Sequence, residues 1–327
     1  MINLDTVKLK ASFEKHVLEF NEKHREIDML YSERTGELDT IRTNSKAYPG
    51  ITRITLSPAS DKITIEFSGK ILGKDYPKLI NKNTAEQALE GLNKIEWIKF
   101  DTKKLLDDSL ILKADITKDL DIGKYKHSEV LQALESTQLK RQYTRTPYSG
   151  QGMMITKNAK SNNCMQKFYN KELEILKEKN FLCPMESFKG KMRMEISLRK
   201  FIYLRKYLGI GQAKELFFSE ILQMKKNPNW AFYSEYKEPE HDLFKEAEKY
   251  NKPAKFYSIE GKKSICRQLN YDTRTIFTLI RPLYSSKQAA YKAIRQDFVP
   301  LIQALQAGGA LKEREIIQYI EGQAKEL

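Results

Sequence analysis

The chain has 327 residues, of which 31% are charged and 40% hydrophobic, and its formal net charge is +14. Its length allows two domains, the lack of a long apolar run excludes a membrane-spanning helix, and three widely spaced cysteines argue against a disulfide framework and a zinc cluster. We expect a protein of a reducing, cytoplasmic compartment, and the surplus of positive charge favours nucleic acid over a membrane as its partner.

The first 200 residues predict a mixed domain of strands and helices. A strand at 5–11 precedes a helix from Phe13 to Leu30, and strands at 51–56 and 62–68 form a hairpin around turn-rich residues. Further strands are predicted at 110–117, 152–156, 164–169 and 191–198, and further helices at 85–94, 128–139 and 171–179. Thr84 and Ser128 are the predicted N-caps of the first two of these helices.

Strand signals fade after residue 201, and helical periodicity dominates to the end of the chain. We therefore place a domain boundary near residue 205. The predicted fold class is α+β, with an antiparallel sheet in residues 1–205 followed by a mainly helical domain in residues 206–327.

Residues 262–281 of the second domain predict a helix-turn-helix. The apolar residues expected to face inward are Ile265, Cys266, Leu269, Ile276 and Leu279, with Asn270 in the turn and Asp272 or Thr273 as the second N-cap. The side chains then left to contact DNA are Lys262, Lys263, Arg274, Thr275, Thr278 and Arg281. An ordinary helical hairpin with a basic face has the same pattern, so that alternative stays open.

Four predicted strands of the first domain alternate between apolar and polar residues. Side chains alternate faces along a strand, so each of these strands has one apolar and one polar side. If the four share one sheet, its polar face carries three carboxylates, several cations and a tyrosine: Glu66, Asp115, Glu195, Lys113, Lys167, Arg193 and Tyr169. The same alternation is typical of any antiparallel sheet with one solvated face.

The three carboxylates suggest a site for Mg²⁺ or Mn²⁺, which prefer hard oxygen ligands. A divalent ion beside a phosphodiester would offset the charge that develops in the transition state. Tyr169 is a weak nucleophile at neutral pH, because a free tyrosine has a pKa near 10, and the metal, Lys167 or Lys171 could favour its phenolate. Arg193 could clamp a phosphate oxygen.

Four short blocks between residues 50 and 200 resemble, in their order, the rolling-circle replication initiators of the staphylococcal plasmid Rep group and the filamentous-phage gene II proteins. The blocks are Ile63-Thr-Ile-Glu-Phe-Ser68, Lys113-Ala-Asp-Ile-Thr-Lys-Asp119, Lys167-Phe-Tyr-Asn-Lys171 and Met192-Arg-Met-Glu-Ile-Ser-Leu-Arg199. Two departures are Lys113, where an arginine is common, and Ala114, which replaces a larger apolar residue. The chain also lacks the histidine-hydrophobe-histidine motif of the wider relaxase superfamily.

The resemblance implies a relaxase-like nicking domain with defined roles for four residues. Tyr169 would be the nucleophile, Asp115 and Glu195 would hold Mg²⁺ or Mn²⁺, and Glu66 would be a third ligand. Attack on single-stranded or cruciform DNA would leave a 5′-phosphotyrosine and a 3′-hydroxyl that primes a polymerase.

The resemblance also implies partners, which are origin DNA, a host helicase and polymerase, and a second copy of the chain, since related plasmid initiators dimerise. Tyr143 and Tyr148 are candidates for a second nucleophile, or they stack on bases or pack. Two other functions remain open. One is a non-catalytic, sequence-specific DNA-binding initiator or regulator, and the other is a mobilisation relaxase or single-strand transposase.

Overall fold

The computed structural model describes most of the chain, and the statements below concern the described residues. These are residues 1–24, 27–31, 38–43, 48–136, 139, 143–148, 152–157, 163–177, 183–228, 258, 261–263, 265, 266, 269 and 272–325. The predicted turn residue Asn270 lies outside them. No helix in these ranges is long and apolar enough to cross a membrane.

Ten strands of the described chain form one antiparallel sheet, in the order β3-β4-β5-β6-β1-β8-β12-β11-β10-β9. Their bounds are β1 (Leu4–Ala11), β3 (Ile27–Tyr31), β4 (Leu38–Thr43), β5 (Ile51–Ser57), β6 (Lys62–Ser68), β8 (Leu110–Asp121), β9 (Tyr143–Tyr148), β10 (Gly152–Lys157), β11 (Cys164–Asn170) and β12 (Lys191–Leu198). Strands β2 (Val17–Phe20) and β7 (Ile98–Phe100) pair in a second, two-stranded sheet.

The helices of the first half are short. They are α1 (Phe13–His16), α2 (Ala85–Leu92), α3 (Thr102–Asp108), α4 (His127–Ser136) and α5 (Lys171–Leu176), with 3₁₀ segments at Pro58–Ser60, Gly69–Lys78 and Met185–Phe188. The second half contains α6 (Phe201–Leu208), α7 (Phe218–Gln223), α8 (Thr273–Ile280), α9 (Lys287–Ala293) and α10 (Val299–Lys325), with a 3₁₀ turn at Arg281–Leu283 and a π-helical turn at Ile294–Phe298.

The apolar face of the large sheet forms the core, as the alternation predicts. Alternate residues of β1, β6, β8 and β12 are fully buried on that face, among them Val7, Ile65, Ala114 and Ile196, and α6 packs on β8 and β12. Burial of these side chains leaves the opposite, polar face to carry the site.

The predicted helix from Phe13 to Leu30 is wrong. The helix ends at His16, whose ring nitrogens bond the carbonyl of Ser12 and the carboxylate of Asp108. The chain then extends as β2, because it pairs with β7, a partner that is remote in sequence. This tertiary pairing outweighs the local helical pattern.

The chain divides into two compact units. One comprises Met1–Leu131, Leu139–Ser234 and Tyr319–Leu327, and the other comprises Gln132–Gln138 and Glu235–Gln318. The predicted boundary near residue 205 falls inside the first unit, and the last residues of the chain return to that unit.

The second unit has its own apolar cluster, which includes Cys266, Ile276 and Ile280. Asp272 caps α8 by accepting a hydrogen bond from the Arg274 amide, as predicted. The expectation that Leu279 faces inward is wrong, because Leu279 is 53% exposed whereas Ile280 is 3% exposed. The inward stripe of the helix therefore advances by four residues from Ile276, which is one helical turn.

Candidate active site

The strands that carry the predicted nucleophile and its acidic neighbours lie side by side. Strand β12 is paired with β8 on one side and with β11 on the other. Across these strands Lys167 is opposite Glu195, and Tyr169 is opposite Arg193. The adjacency of the three strands brings Asp115, Glu195, Arg193, Lys167 and Tyr169 onto one polar face.

Glu195 is the centre of this cluster. Its Oε2 accepts a hydrogen bond from the Tyr169 hydroxyl at 3.0 Å, and its Oε1 accepts one from Ser197 Oγ at 2.9 Å. Lys167 Nζ forms an ion pair with the same Oε1. Burial opposes ionisation, but the Lys167 ammonium holds the pKa of Glu195 below its usual range, so the carboxylate is charged.

Tyr169 is a neutral phenol in this arrangement. The residue is 1% exposed, and burial together with the Glu195 charge raises the pKa of Tyr169 well above its usual value. We expected Lys167 or Lys171 to favour the phenolate, whereas in this structure Tyr169 is protonated. The Tyr169 hydroxyl donates its hydrogen bond to Glu195, so a carboxylate able to accept the phenol proton lies in contact with it.

Asp115 lies next to Glu195 in an environment that disfavours its charge. Burial and the nearby Glu195 carboxylate raise the pKa of Asp115 to about 7. Its Oδ1 is buried and accepts no hydrogen bond within the described part of the chain. A buried carboxylate oxygen without a donor, beside a second carboxylate, fits a site for a divalent cation.

The two carboxylates suit a Mg²⁺ or Mn²⁺ ion whose remaining ligands are water and substrate phosphate. They do not suit an ion held by protein side chains alone. Among the described residues, no group of three His, Cys, Asp or Glu side chains is placed to hold a metal. Mg²⁺ is commonly held by one or two carboxylates together with substrate phosphates and water, and the pair Asp115 and Glu195 meets that requirement.

Glu66 is not brought to this pair. Its strand β6 is separated from β8 by β1, and its Oε1 forms an ion pair with Lys113 Nζ at 2.7 Å. The third ligand implied by the family resemblance thus lies elsewhere on the polar face, engaged with a lysine.

Arg193 is fully buried and fully engaged with protein groups. Its Nε and Nη2 donate to the two oxygens of Asp119 at 2.6 and 2.7 Å, and its Nη1 donates to Asp5 and to the Tyr76 hydroxyl. The guanidinium lies between the rings of Tyr76 and Phe188. These contacts occupy the donors with which Arg193 was expected to clamp a phosphate, so we assign it the role of holding the strands under Tyr169.

Lys171 is also completely buried. Its Nζ donates to Glu174 at 2.5 Å and lies 5.5 Å from the centre of the Tyr169 ring. Burial and the neighbouring Arg193 lower the pKa of Lys171. Lys171 therefore packs against the Tyr169 ring.

Three members of the cluster were not predicted: Asp5, Tyr76 and Asp119. Asp119 follows Asp115 at an even spacing, so strand alternation could have found it. Asp5 sits at a register shift between Leu4 and Thr6, where a bulge turns its side chain toward Arg193. Tyr76 comes from a 3₁₀ segment that carries no strand pattern.

The other tyrosines of the predicted loop occupy strand β9. The Tyr148 ring packs 5.2 Å from the Tyr169 ring, and Lys167 Nζ lies 5.4 Å from the centre of the Tyr148 ring. Within the described residues, the Tyr148 hydroxyl forms no hydrogen bond. Tyr143 is at the opposite end of β9.

The predicted DNA contacts of the second unit lie around α8. Arg274, Thr275 and Thr278 are exposed, although both threonine hydroxyls bond within the helix, to Asp272 Oδ2 at 2.6 Å and to the Arg274 carbonyl at 3.0 Å. Arg281 donates to the Tyr284 carbonyl, and Lys262 pairs with Asp297. Lys263 is partly exposed.

Replacing Asp115 with asparagine tests the carboxylate pair. In the folded protein the pKa of Asp115 is raised from 3.8 to about 7. Ionisation of Asp115 therefore destabilises the fold, and this destabilisation is absent at low pH and grows as the pH rises through that range. At pH 8 and without metal, Asp115→Asn should stabilise the protein by up to roughly 4 kcal/mol, at about 1.4 kcal/mol per pKa unit. Mn²⁺ should raise the Tm of the wild type, and Asp115→Asn should lose that rise. A Tm response to Mn²⁺ that persists in Asp115→Asn would contradict the proposed metal site.

Comparison with known proteins finds similarity among solved structures. No protein-family model matches the chain, and no curated protein matches it. The chain is similar to the solved structure of a rolling circle replication initiator protein from Geobacillus stearothermophilus, with 16% sequence identity and a TM-score of 0.30, over 62% of this chain and 75% of that one.

Proposed function

We propose that the chain nicks and rejoins one strand of DNA through a covalent phosphotyrosine, and so initiates rolling-circle replication. The observation that supports this most strongly is the hydrogen bond from Tyr169 to Glu195 at 3.0 Å, with Asp115 beside it on the same sheet face. A tyrosine bonded to a charged carboxylate has a proton acceptor in place, which a nucleophile with a high pKa requires.

In the proposed reaction, Tyr169 Oη attacks the phosphorus of the scissile phosphodiester. The phenol proton passes to Glu195 Oε2 as the new O–P bond forms, and the P–O3′ bond breaks. The 3′-oxygen leaves and takes a proton from water, and the 5′ side of the nick stays joined to Tyr169. Attack by a later 3′-hydroxyl reverses these steps and rejoins the strand, since the bond energy is kept in the phosphotyrosine.

Asp115 and Glu195 would hold the divalent ion, which when bound stabilises negative charge on the phosphate oxygens. Lys167 contributes in two ways. Its ion pair keeps Glu195 ionised, and its ammonium lies at the same edge of the cluster, where it can attract the phosphate. Burial opposes the charged form of Lys167, but Glu195 and Asp115 raise its pKa above the usual value. Lys167 is therefore charged at neutral pH.

Access of DNA to Tyr169 requires movement of its neighbours. The residue is 1% exposed, and the Tyr148 ring packs against it. We infer that the Tyr148 ring turns away when DNA binds and then stacks on a base. In this account Tyr148 is a positioning residue and not a second nucleophile.

The variant Tyr148→Phe distinguishes these two roles. Because the ring and its packing are kept and the hydroxyl bonds no described residue, adduct formation should stay within about twofold of wild type, or about 0.5 kcal/mol. Adduct yield on a labelled oligonucleotide measures this. A second nucleophile at Tyr148 would instead show as loss of a second cleavage event in Tyr148→Phe.

DNA recognition by the helical second unit is the finer part of the proposal. Exposed Arg274, Thr275 and Thr278 on one side of α8 support origin contacts there. The same surface supports the second candidate function, a DNA-binding regulator without chemistry. Unchanged activity after replacing both Asp115 and Glu195 with alanine would favour that candidate.

The test is a nicking assay with Mg²⁺ or Mn²⁺ on supercoiled plasmid that carries the chain's own coding region. Metal-dependent relaxation together with a protein–DNA adduct supports the proposal. Binding to this DNA without any nick under either metal would overturn it. Where the DNA is nicked, the free 3′-hydroxyl would be the point at which a host polymerase and helicase act.

A further inference from the structure

A row of cations crosses the polar face of the sheet beside the proposed active site. The strand register aligns Arg53 of β5, Glu66 of β6, Lys8 of β1 and Lys113 of β8. Lys10 lies two residues further along β1, opposite Thr64 of β6. Since β1 buries Val7 and Leu9 on the apolar face, Lys8 and Lys10 point to the polar face.

Among the described residues, most of this positive charge has no ion-pair partner. The carboxylate of the row, Glu66, is engaged with Lys113 Nζ at 2.7 Å. Within the ranges that the structure describes, Lys8, Lys10 and Arg53 form no ion pair. Arg53 is exposed, and Lys8 and Lys10 are partly exposed, so all three are accessible to a ligand. We call these three residues the cation strip.

The cation strip leads to the carboxylate pair. Thr6, two residues before Lys8 on β1, is paired with Asp115, which places Lys8 roughly 7 Å along the sheet from the Asp115 row. From β5 to β8 the row covers three strand spacings, or about 14 Å. Cations at these intervals, ending at the proposed active site, match a chain of phosphates that follows the sheet.

We propose that the cation strip binds the phosphodiester backbone of the single DNA strand that enters the active site. This inference rests on the proposed nicking function and extends it by naming the path of the strand. A flexible single strand can follow a flat row of side chains to buried Asp115, whereas a rigid duplex cannot. The strip contains no aromatic residue, so its contacts are with phosphates and tolerate any sequence.

The experiment measures binding without chemistry. In the Tyr169→Phe background and without metal, Lys8→Met plus Lys10→Met is compared with Lys94→Met plus Lys103→Met. The control pair removes the same charge from exposed positions that lie on no strand of the sheet. Anisotropy of a labelled single-stranded oligonucleotide of mixed sequence gives the affinity over a series of salt concentrations, and thermal melting checks that both variants fold.

We expect the strip variant to bind at least about tenfold more weakly than the control at low salt, with a salt slope shallower by about 1.4, or 0.7 per lost phosphate contact. Affinity and slope equal to those of the control would overturn the strip, even if wild-type protein nicks DNA. Equal losses for single-stranded and duplex DNA would overturn its assignment to a single strand. Loss of single-strand binding in a protein that never nicks would keep the strip and reject the nicking function.

Discussion

Replacing Tyr169 with phenylalanine should abolish the covalent protein–DNA adduct while leaving DNA binding intact. The substitution removes the attacking oxygen and keeps the buried ring that packs against Tyr148 and Lys171. Loss of an essential nucleophile lowers such rates by at least about 10⁴-fold. The buried Glu195 keeps Lys167 and Ser197 as donors, so the variant should lose only about 1 kcal/mol of stability.

The matched control is Tyr148→Phe, which removes a hydroxyl from the adjoining ring. Both variants are incubated with Mn²⁺ and a labelled oligonucleotide, and adducts are counted on a denaturing gel. Adduct in Tyr148→Phe and none in Tyr169→Phe supports the assignment. An undiminished adduct in Tyr169→Phe would mean that another residue attacks.

Replacing Arg193 with methionine should cause the largest loss of stability in the sheet. The guanidinium joins Asp119 of β8 and Asp5 of β1 to β12, and it is fully buried. Its removal leaves two carboxylates in the interior without their cation, which costs about 3–5 kcal/mol. Urea unfolding measures the change. Arg199→Met, at an exposed position of the same segment, should shift stability by less than about 0.5 kcal/mol.

Acid titration of the Arg193→Met variant provides a second readout. Burial opposes ionisation of Asp5, but Lys171 and Arg193 lower its pKa from 3.8 to about 2. A lowered carboxyl pKa stabilises the fold above pH 4, and that contribution is lost as the pH falls toward 2. Without Arg193 the pKa of Asp5 should rise toward its ordinary value, so the loss of stability that Asp5 causes between pH 4 and 2 in the wild type should shrink in the variant. A stability loss below about 1 kcal/mol and an unchanged acid profile would contradict the structural role of Arg193.

Strand alternation predicted the faces of the site correctly. It placed Glu195 and Arg193 on one side of β12 and Lys167 and Tyr169 on one side of β11, because a period of two residues is fixed by strand geometry. The predicted hairpin of strands 51–56 and 62–68 is confirmed as well, because turn residues between alternating runs report local pairing. The strands predicted at 152–156 and 164–169 also pair with each other.

The strand order could not be read from the sequence. Strand β1 is inserted between β6 and β8, which separates Glu66 from Asp115. Local patterns carry no information about such long-range pairing. The bulge at Asp5 and the burial of Arg193 beneath Tyr76 depend on tertiary contacts in the same way. Predicted roles based on a solvated polar face, such as the phosphate clamp, therefore differ from the buried network that is observed.

The most direct test of the central proposal is to identify the residue that carries DNA. Wild-type protein is allowed to react with a single-stranded oligonucleotide from its own coding region in Mn²⁺, then digested with nuclease and protease, and the peptides are analysed by mass spectrometry. We predict a nucleotide joined through its 5′-phosphate to Tyr169. A nucleotide on Tyr143, Tyr148 or any other residue, or no modified peptide from protein that binds the oligonucleotide, would contradict the account.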